Sequence, residues 1–223
     1  RYYTFIYDWR RDNVIAVKHL HEFINQIRKD YDDPNLKVDI IAHSNGGLLT
    51  NYYLRYGPND VLDQKEFRQW DEGAKRVRRV VLLGTPNLGS VTSVERLLHG
   101  FRLGLRLIPV EVMVSFETPF QALPSPITQS IVDTHGNPAK INIYDPKLWQ
   151  ENQWSVYSPE FLKMLEKQSK TPEEAKARQA VLQETFVGHL LRAERFQASL
   201  TTPLKHEGVR MAAFGGDCEL TPN

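Results

Sequence analysis

Apolar positions in the first third of the chain fall into short runs separated by stretches with helical spacing. Residues 2–7 are dense in aromatic and β-branched side chains, which predicts a buried strand. The apolar positions between 14 and 27 keep helical spacing, and Asp12 or Asn13 stands where a residue caps such a helix. Residues 37–41 predict the next strand. This order of strand, helix and strand indicates a crossover between parallel strands.

Helical spacing resumes after Ser44 and predicts a helix from Gly46 to about Arg55. The continuous apolar run at residues 80–84 predicts a strand in a parallel sheet that is covered on both faces. A loop over residues 85–90 follows this strand. Because sites in open α/β sheets lie beyond the carboxyl ends of the strands, we expect this loop and Ser44 at the same edge of the sheet.

The pattern changes between about residue 90 and about residue 200. Positions 97–108 fit a helix and also alternate as a strand does, so the spacing leaves both assignments open. Helices are predicted from Ser158 and from Thr171, where Glu174 completes a capping box, and residues 209–214 predict a return to the sheet. Prolines break the middle of the chain repeatedly, which is typical of an irregular insertion. They stand at Pro119, Pro124, Pro126 and Pro138.

Composition narrows the class of protein. A chain of 223 residues can bury one sizeable core and usually forms one domain, with or without an inserted subdomain. The 28 basic and 27 acidic residues give a net charge of +1 without any block of like charges, so nucleic acid is not an expected partner. Cys218 is the single cysteine and no Cys or His spacing resembles a zinc site, so we expect no internal disulfide, no metal and no other cofactor.

The sequence does not identify the cellular compartment of the protein. No apolar run approaches the roughly 20 residues that a membrane-spanning helix needs, and no signal-peptide pattern stands at the N-terminus. The chain opens at Arg1 directly into a strand-like run, so we expect further sequence upstream. These features leave the compartment open.

Ser44 carries the strongest chemical signal in the chain. A short β-branched run, a tight turn and a helix surround it, which is the context of a nucleophile elbow. The turn requires small residues two positions before and two positions after the serine, and Ala42 and Gly46 meet this requirement, with alanine in place of the first glycine of G-x-S-x-G. An ordinary turn is the alternative. The matching strand and helix favour Ser44 as the nucleophile and the backbone N–H of Asn45 as an oxyanion donor.

Four stretches in chain order carry a family resemblance. They are Tyr-Asp-Trp-Arg at residues 7–10, Ala-His-Ser-Asn-Gly-Gly at 42–47, Leu-Gly-Thr-Pro-Asn-Leu-Gly-Ser at 83–90 and Phe-Gly-Gly-Asp-Cys-Glu-Leu-Thr-Pro at 214–222. Together they resemble the lecithin:cholesterol acyltransferase-like family of α/β-hydrolases. The resemblance implies an α/β-hydrolase fold with a mostly parallel sheet and an inserted, mainly helical cap. We therefore expect core residues 1–90, a cap or lid over residues 91–203 and a return to the core at 204–223, incomplete at both ends.

Members of this family are acyltransferases and phospholipases, so the resemblance implies acyl transfer or hydrolysis on lipid-like esters through an acyl-enzyme at Ser44. It also implies an acceptor alcohol where the acyl group is transferred, and contact with a membrane or micelle surface. Hydrolases of this fold carry nucleophile, acid and histidine in that order. In the family the acid and histidine lie beyond the segment that matches residues 214–222, so we expect both after Asn223, and the second oxyanion donor before Arg1. The visible alternatives are His189, His206 and Asp217.

Several other residues admit two interpretations each. Asp8 and Arg10 form an ion pair or contact substrate, Asn87 holds a turn or positions substrate, and His43 is expected to point away from the serine. The tryptophans pack in the interior or meet a lipid surface, and packing is favoured. They are Trp9, Trp70, Trp149 and Trp154. The alternative to an enzyme is a non-catalytic α/β-hydrolase-fold module that binds lipids or partner proteins.

Overall fold

The structure is a computed structural model that describes residues 1–128, 131–132, 135–139, 141–205 and 208–216. The chain divides into two units. The first comprises Arg1–Asn87 and the described residues from Ala198 onwards, and the second comprises Leu88–Gln197. That residues 91–203 act as a cap stays a prediction.

Helices and strands alternate in the first unit, whereas helices dominate the second. In chain order the described α-helices and strands are α1 (Asn13–Asp30), β1 (Val38–His43), α2 (Asn45–Tyr56), α3 (Gly73–Arg76), β2 (Val77–Leu83), α4 (Val91–His99), β3 (Phe101–Leu103), β4 (Arg106–Ile108), α5 (Val110–Met113), α6 (Thr118–Gln121), α7 (Pro146–Glu151), α8 (Pro159–Gln168), α9 (Pro172–Thr201) and β5 (Arg210–Phe214), with a 3₁₀-helix at Ser155–Tyr157 between α7 and α8.

The first helix forms where the apolar spacing predicts it. The carboxylate of Asp12 accepts a hydrogen bond from the Val14 N–H at 2.7 Å and so caps α1. Arg28 and Lys29 stand in its last turn, where positive charge opposes the helix dipole. The apolar stripe of the helix is buried and contains Val14, Ala16, Val17, Leu20, Ile24 and Ile27.

The sheet of the first unit is parallel. Its strands lie in the order β1-β2-β5, which confirms the strands predicted at residues 37–41, 80–84 and 209–214. The crossover predicted from residues 2–7 to residues 37–41 is not found, because residues 2–7 do not form a strand. At the carboxyl ends His43, Leu83 and Phe214 stand side by side. The three segments that follow the strands therefore begin at one edge of the sheet.

The two faces of this sheet differ among the described residues. Ala42, Val80 and Leu82 are buried. On the opposite face Ile41 is 70% exposed and Phe214 is 61% exposed. The apolar run of β2 predicted cover on both faces, and for the described part of the chain this prediction is wrong, because no described element covers the face that carries Ile41.

Residues 2–7 do not form a strand, so that prediction is also wrong. Their burial does alternate, with Tyr3, Phe5 and Tyr7 half-buried. The ring of Phe5 lies 5.7 Å from that of Tyr7 and 5.4 Å from that of Phe23 in α1. A strand needs a hydrogen-bonded neighbour as well as an alternating pattern, and the described sheet gives these residues none.

The second unit has an aromatic core of its own. The ring of Phe186 lies 5.1 Å from that of Phe120 and 4.9 Å from that of Trp149, and all three residues are fully buried. The indole N–H of Trp149 donates to the Ile143 carbonyl at 2.8 Å, which satisfies its polar atom in the interior. Trp149 is therefore a core residue.

The stretch whose spacing left two assignments open contains a helix and two strands. α4 ends at His99, Gly100 follows with φ 81, and β3 and β4 then pair as an antiparallel hairpin. The predicted starts of α8 and α9 are confirmed. Ser158 Oγ accepts from the Phe161 N–H at 3.1 Å, and Thr171 Oγ1 accepts from the Glu174 N–H at 3.2 Å.

Candidate active site

Ser44 joins β1 to α2 at the carboxyl edge of the sheet. Its φ of 52 and ψ of −124 lie in a region that residues with a Cβ rarely adopt. The Ser44 N–H donates to the Leu83 carbonyl at 2.9 Å, and the Ser44 carbonyl accepts from the Gly47 N–H at 3.0 Å. Bonds to β2 and α2 thus hold the strained residue in place. Ser44 is half-buried, and its side chain makes no capping hydrogen bond to α2.

Gly47 lies close against the loop that follows β2. A Cβ at Gly47 would collide with the side chain of Thr85, in the loop after β2. A Cβ at Gly46 would lie 3.8 Å from the Cβ of Ala42, which is an ordinary contact. The small residues predicted at 42 and 46 fit this contact, and Ala42 is buried. The need for a small residue at 47 is not visible in the sequence, because only the fold brings Thr85 to Gly47.

Asn45 begins α2, so its backbone N–H has no acceptor within the helix. Its side-chain amide donates to Asn13 Oδ1 at 2.8 Å and to the Tyr7 hydroxyl at 3.3 Å. Burial raises the pKa of Tyr7, and the hydrogen bond from Asn45 acts in the opposite direction. Asn13 and Tyr7 therefore position the residue that follows Ser44, a role that the sequence pattern did not indicate.

The loop after β2 lies at the same edge as Ser44, as predicted. The Gly84 N–H donates to the Phe214 carbonyl at 2.8 Å and so continues the ladder past the strand ends. Within the loop, Asn87 Oδ1 accepts from the Asn51 side-chain amide of α2 at 2.8 Å. This bond ties the loop to the helix that begins at Ser44. A role for Asn87 in positioning substrate stays a prediction.

Asp8 and Arg10 form an ion pair. Arg10 Nε and Nη2 donate to the two carboxylate oxygens of Asp8 at 2.8 Å each, and the Arg10 N–H donates to Asp8 Oδ1 at 3.1 Å. The hydrogen bonds from Arg10 lower the pKa of Asp8 to about 2. These contacts agree with the interpretation of Asp8 and Arg10 as an ion pair.

Three of the histidines that the structure describes have defined surroundings. His43 is exposed at the end of β1. His21 Nδ1 lies 3.3 Å from the Tyr53 hydroxyl, and burial lowers the pKa of His21. In the second unit His189 Nδ1 lies 3.2 Å from the Val114 carbonyl, and its ring lies 5.3 Å from that of Phe120. Two of the candidate residues, His206 and Asp217, lie outside the described residues, and so does Cys218.

The remaining tryptophans differ in exposure. Trp9 is exposed, whereas Trp70 is half-buried and its ring lies 5.6 Å from that of Tyr53. Trp154 is half-buried with its ring 5.9 Å from that of Trp149. Packing accounts for Trp70 and Trp154, as the sequence argument favoured.

A metal site needs several ligating side chains close together, and a membrane span needs a long apolar helix. Within the described ranges, no group of three or more His, Cys, Asp or Glu side chains is placed to hold a metal ion. None of the helices that the structure describes combines the length and the apolar character needed to cross a membrane.

Comparison with known protein families adds information on family membership, which the geometry of the site does not give. The family model for lecithin:cholesterol acyltransferase matches residues 3–193, which is most of the chain. The chain belongs to the lecithin:cholesterol acyltransferase family. Among curated proteins no match was found.

This member of the lecithin:cholesterol acyltransferase family also resembles a solved structure. One chain in the crystal structure of the Tle4-Tli4 complex matches with a TM-score of 0.60 and 16% sequence identity. The match covers 91% of this chain and 42% of that chain, so the chain spans less than half the length of its structural neighbour. At this identity the likeness concerns the fold. Family membership and the parallel sheet with its helices agree on the α/β-hydrolase fold.

Proposed function

We propose that Ser44 is the nucleophile of an enzyme that transfers acyl groups from lipid-like esters. The observation that carries this proposal is the backbone of Ser44, which is held at φ 52° and ψ −124° between β1 and α2. The other described non-glycine residues with positive φ, which are Asp32, Gln153 and Ser155, do not follow a strand. Such strain persists only where the surrounding structure fixes it, and it concentrates at functional sites. Membership of the lecithin:cholesterol acyltransferase family supports the substrate class.

The chemistry follows from a serine at this place. The hydroxyl oxygen of Ser44 attacks the ester carbonyl carbon while a histidine takes its proton. The backbone N–H of Asn45 donates to the oxyanion of the tetrahedral intermediate. The intermediate expels the alcohol, which receives the proton from the histidine, and leaves the acyl group on Ser44. Water or an acceptor alcohol then takes the acyl group by the same steps in reverse.

The proposal needs a base and an acid. His21 and His189 are each placed beside another partner, the Tyr53 hydroxyl and the Val114 carbonyl. Because the family resemblance implies an acid and a histidine beyond residues 214–222, we assign the base, and the acid that orients it, to residues other than those that the structure describes. The second oxyanion donor is assigned in the same way.

The test is Ser44-dependent turnover by the intact protein on a dispersed phospholipid and on a short-chain ester. We expect Ser44→Ala to lower the rate by a factor on the order of 10³ or more, because no other group replaces the nucleophile. Ser115→Ala is the matched control, since Ser115 is exposed and, among the residues that the structure describes, its hydroxyl bonds only the Val112 carbonyl of its own turn. Adding an acceptor alcohol and measuring both products separates transfer from hydrolysis.

The competing hypothesis is a lipid-binding or protein-binding module without catalysis. It predicts the same slow turnover in the unmodified protein and in Ser44→Ala, with lipid binding intact in both. That result would refute the proposed function.

A further inference from the structure

The hairpin of β3 and β4 exposes leucines on every side of its tip. Leu103 is 63% exposed, Leu105 is 100% exposed and Leu107 is 53% exposed. Single exposed apolar residues are common on protein surfaces, but here three of them fall within five positions of one hairpin. The exposure of three neighbouring leucines therefore requires an explanation, whereas the exposure of a single leucine would not.

Strand pairing places these leucines around the hairpin rather than on one face. Leu103 stands opposite Arg106, and Leu107 stands opposite Arg102. Because cross-strand partners share a face and successive residues alternate between faces, each face carries one leucine and one arginine. Leu105 lies in the turn between the strands. Leucines on both faces and in the turn suit entry into a lipid interface, which surrounds the tip, better than a protein groove, which contacts one side.

The hairpin itself carries positive charge. Residues 101–108 contain two arginines and no aspartate or glutamate, while Glu95 and Glu111 stand in the helices on either side. Long arginine side chains can lie along an apolar surface while their guanidinium groups reach phosphate oxygens at its boundary. Basic residues beside an apolar tip are the combination that favours an anionic lipid surface.

The base of the hairpin is fixed to the second unit. The guanidinium carbon of Arg96 in α4 lies 4.3 Å from the ring centroid of Phe101. A Cβ at Gly100 would collide with the Ile108 carbonyl, so the two strands begin in close contact with the end of α4. Phe101 and Ile108 are half-buried, in contrast to the tip. The hairpin thus projects its leucines from an anchored base.

We propose that this hairpin binds a lipid surface, with Leu103, Leu105 and Leu107 entering the interface and Arg102 and Arg106 contacting phosphate groups. The proposal rests on the proposed function for the choice of lipid as the partner, and it names the residues that would bring the protein to that lipid. Binding itself does not require Ser44.

The experiment measures cosedimentation of the full chain with large vesicles, either of phosphatidylcholine or of phosphatidylcholine with phosphatidylserine. All proteins carry Ser44→Ala, so that turnover cannot alter the vesicles and failure of binding says nothing about catalysis. The test variant combines Leu103→Ser, Leu105→Ser and Leu107→Ser. The control combines Val181→Ser and Leu191→Ser, which are exposed apolar positions on α9.

We expect the triple variant to lose binding to both kinds of vesicle by about tenfold or more, because the apolar contact with the interface is removed. Arg102→Gln with Arg106→Gln should weaken binding to the anionic vesicles by about tenfold and change binding to the neutral ones much less. The α9 control should bind as the parent does. Equal binding by the triple variant and the parent, equal loss in the control, or no binding by the parent would each overturn the proposal.

A second measurement is independent of the stability of the triple variant. A fluorophore sensitive to polarity is attached at Leu105→Cys in a chain that also carries Cys218→Ser. Its emission should shift to the blue on addition of anionic vesicles, whereas the same probe at Val181→Cys should not shift. A probe at position 105 that stays in water would contradict the proposal.

Discussion

Two of the turns in this molecule hold residues of different type at nearly the same positive φ. Ser44 has φ 52 and Gly104, at the tip of the β3–β4 hairpin, has φ 59. Backbone hydrogen bonds to Leu83 and Gly47 hold Ser44 in place. Around Gly104 a Cβ would meet no other heavy atom within 4 Å.

The difference shows where the protein keeps strain. Glycine adopts positive φ at little cost, so it suits an open turn with no neighbours to hold it. A serine at such a φ costs on the order of 1–3 kcal/mol and needs surroundings that compensate for it. The elbow has those surroundings, and this supports a chemical role for its side chain. The hairpin tip has none, and the role that we propose for it rests on exposed leucines rather than on backbone geometry.

The largest stability effect is expected at the contact beneath the elbow. Gly47→Ala should lower the free energy of unfolding by about 1–3 kcal/mol, because its Cβ would collide with Thr85. Gly46→Ala is the matched control, since its Cβ makes an ordinary contact 3.8 Å from Ala42. That control should leave stability unchanged or raise it by up to about 1 kcal/mol. Urea unfolding of the two variants measures both, and equal midpoints would contradict the packing described for the elbow.

Substitutions at the two turns should change the free energy of unfolding by smaller amounts and in opposite directions. Ser44→Gly should raise the free energy of unfolding by about 1 kcal/mol, because it relieves the positive φ, while it removes activity. Gly104→Ala should lower the free energy of unfolding by about 1 kcal/mol for the converse reason. Ser44→Ala keeps a Cβ and serves as the control, with no comparable gain. Thermal or urea unfolding gives the signs, and a loss of stability in Ser44→Gly would show that Ser44 is not strained.

Much of the first unit could be predicted from local pattern. The cap at Asp12, the strand before Ser44 and the helix after it depend on residues that are neighbours in sequence, and local chemistry decides them. The same holds for the starts of α8 and α9. For Ser44 the pattern predicted the turn, and the structure adds its backbone angles.

The predictions that failed depend on contacts between distant residues. Residues 2–7 alternate as a strand does, but pairing with a neighbour cannot be inferred from alternation. Gly47 meets Thr85 only after β1 and β2 pair, so spacing could not single it out. Gly100 and Gly104, both at positive φ, mark where the hairpin begins and turns. These two glycines are the feature of the sequence that separates the helix from the hairpin within residues 97–108.

The smallest effect concerns a third turn, at residues 8–11, which side-chain charges hold at the surface. Arg10→Gln should raise the pKa of Asp8 from about 2 toward its ordinary value of about 4. Because the folded state lowers this pKa, the pair contributes stability above about pH 4, and that contribution disappears as the pH falls through about 2. NMR titration of the Asp8 carboxyl carbon measures the shift. An unchanged pKa in Arg10→Gln would show that Arg10 is not its cause.

The central claim is that Ser44 is an activated nucleophile, and a fluorophosphonate probe tests it most directly. An activated serine attacks phosphorus as it attacks an ester carbonyl, and the adduct is stable enough to be mapped. In the intact protein we predict that mass spectrometry of the labelled peptides places the adduct on Ser44, and that Ser44→Ala abolishes labelling while Ser115→Ala does not. Equal labelling of the unmodified protein and Ser44→Ala, or an adduct on another serine, would contradict the claim.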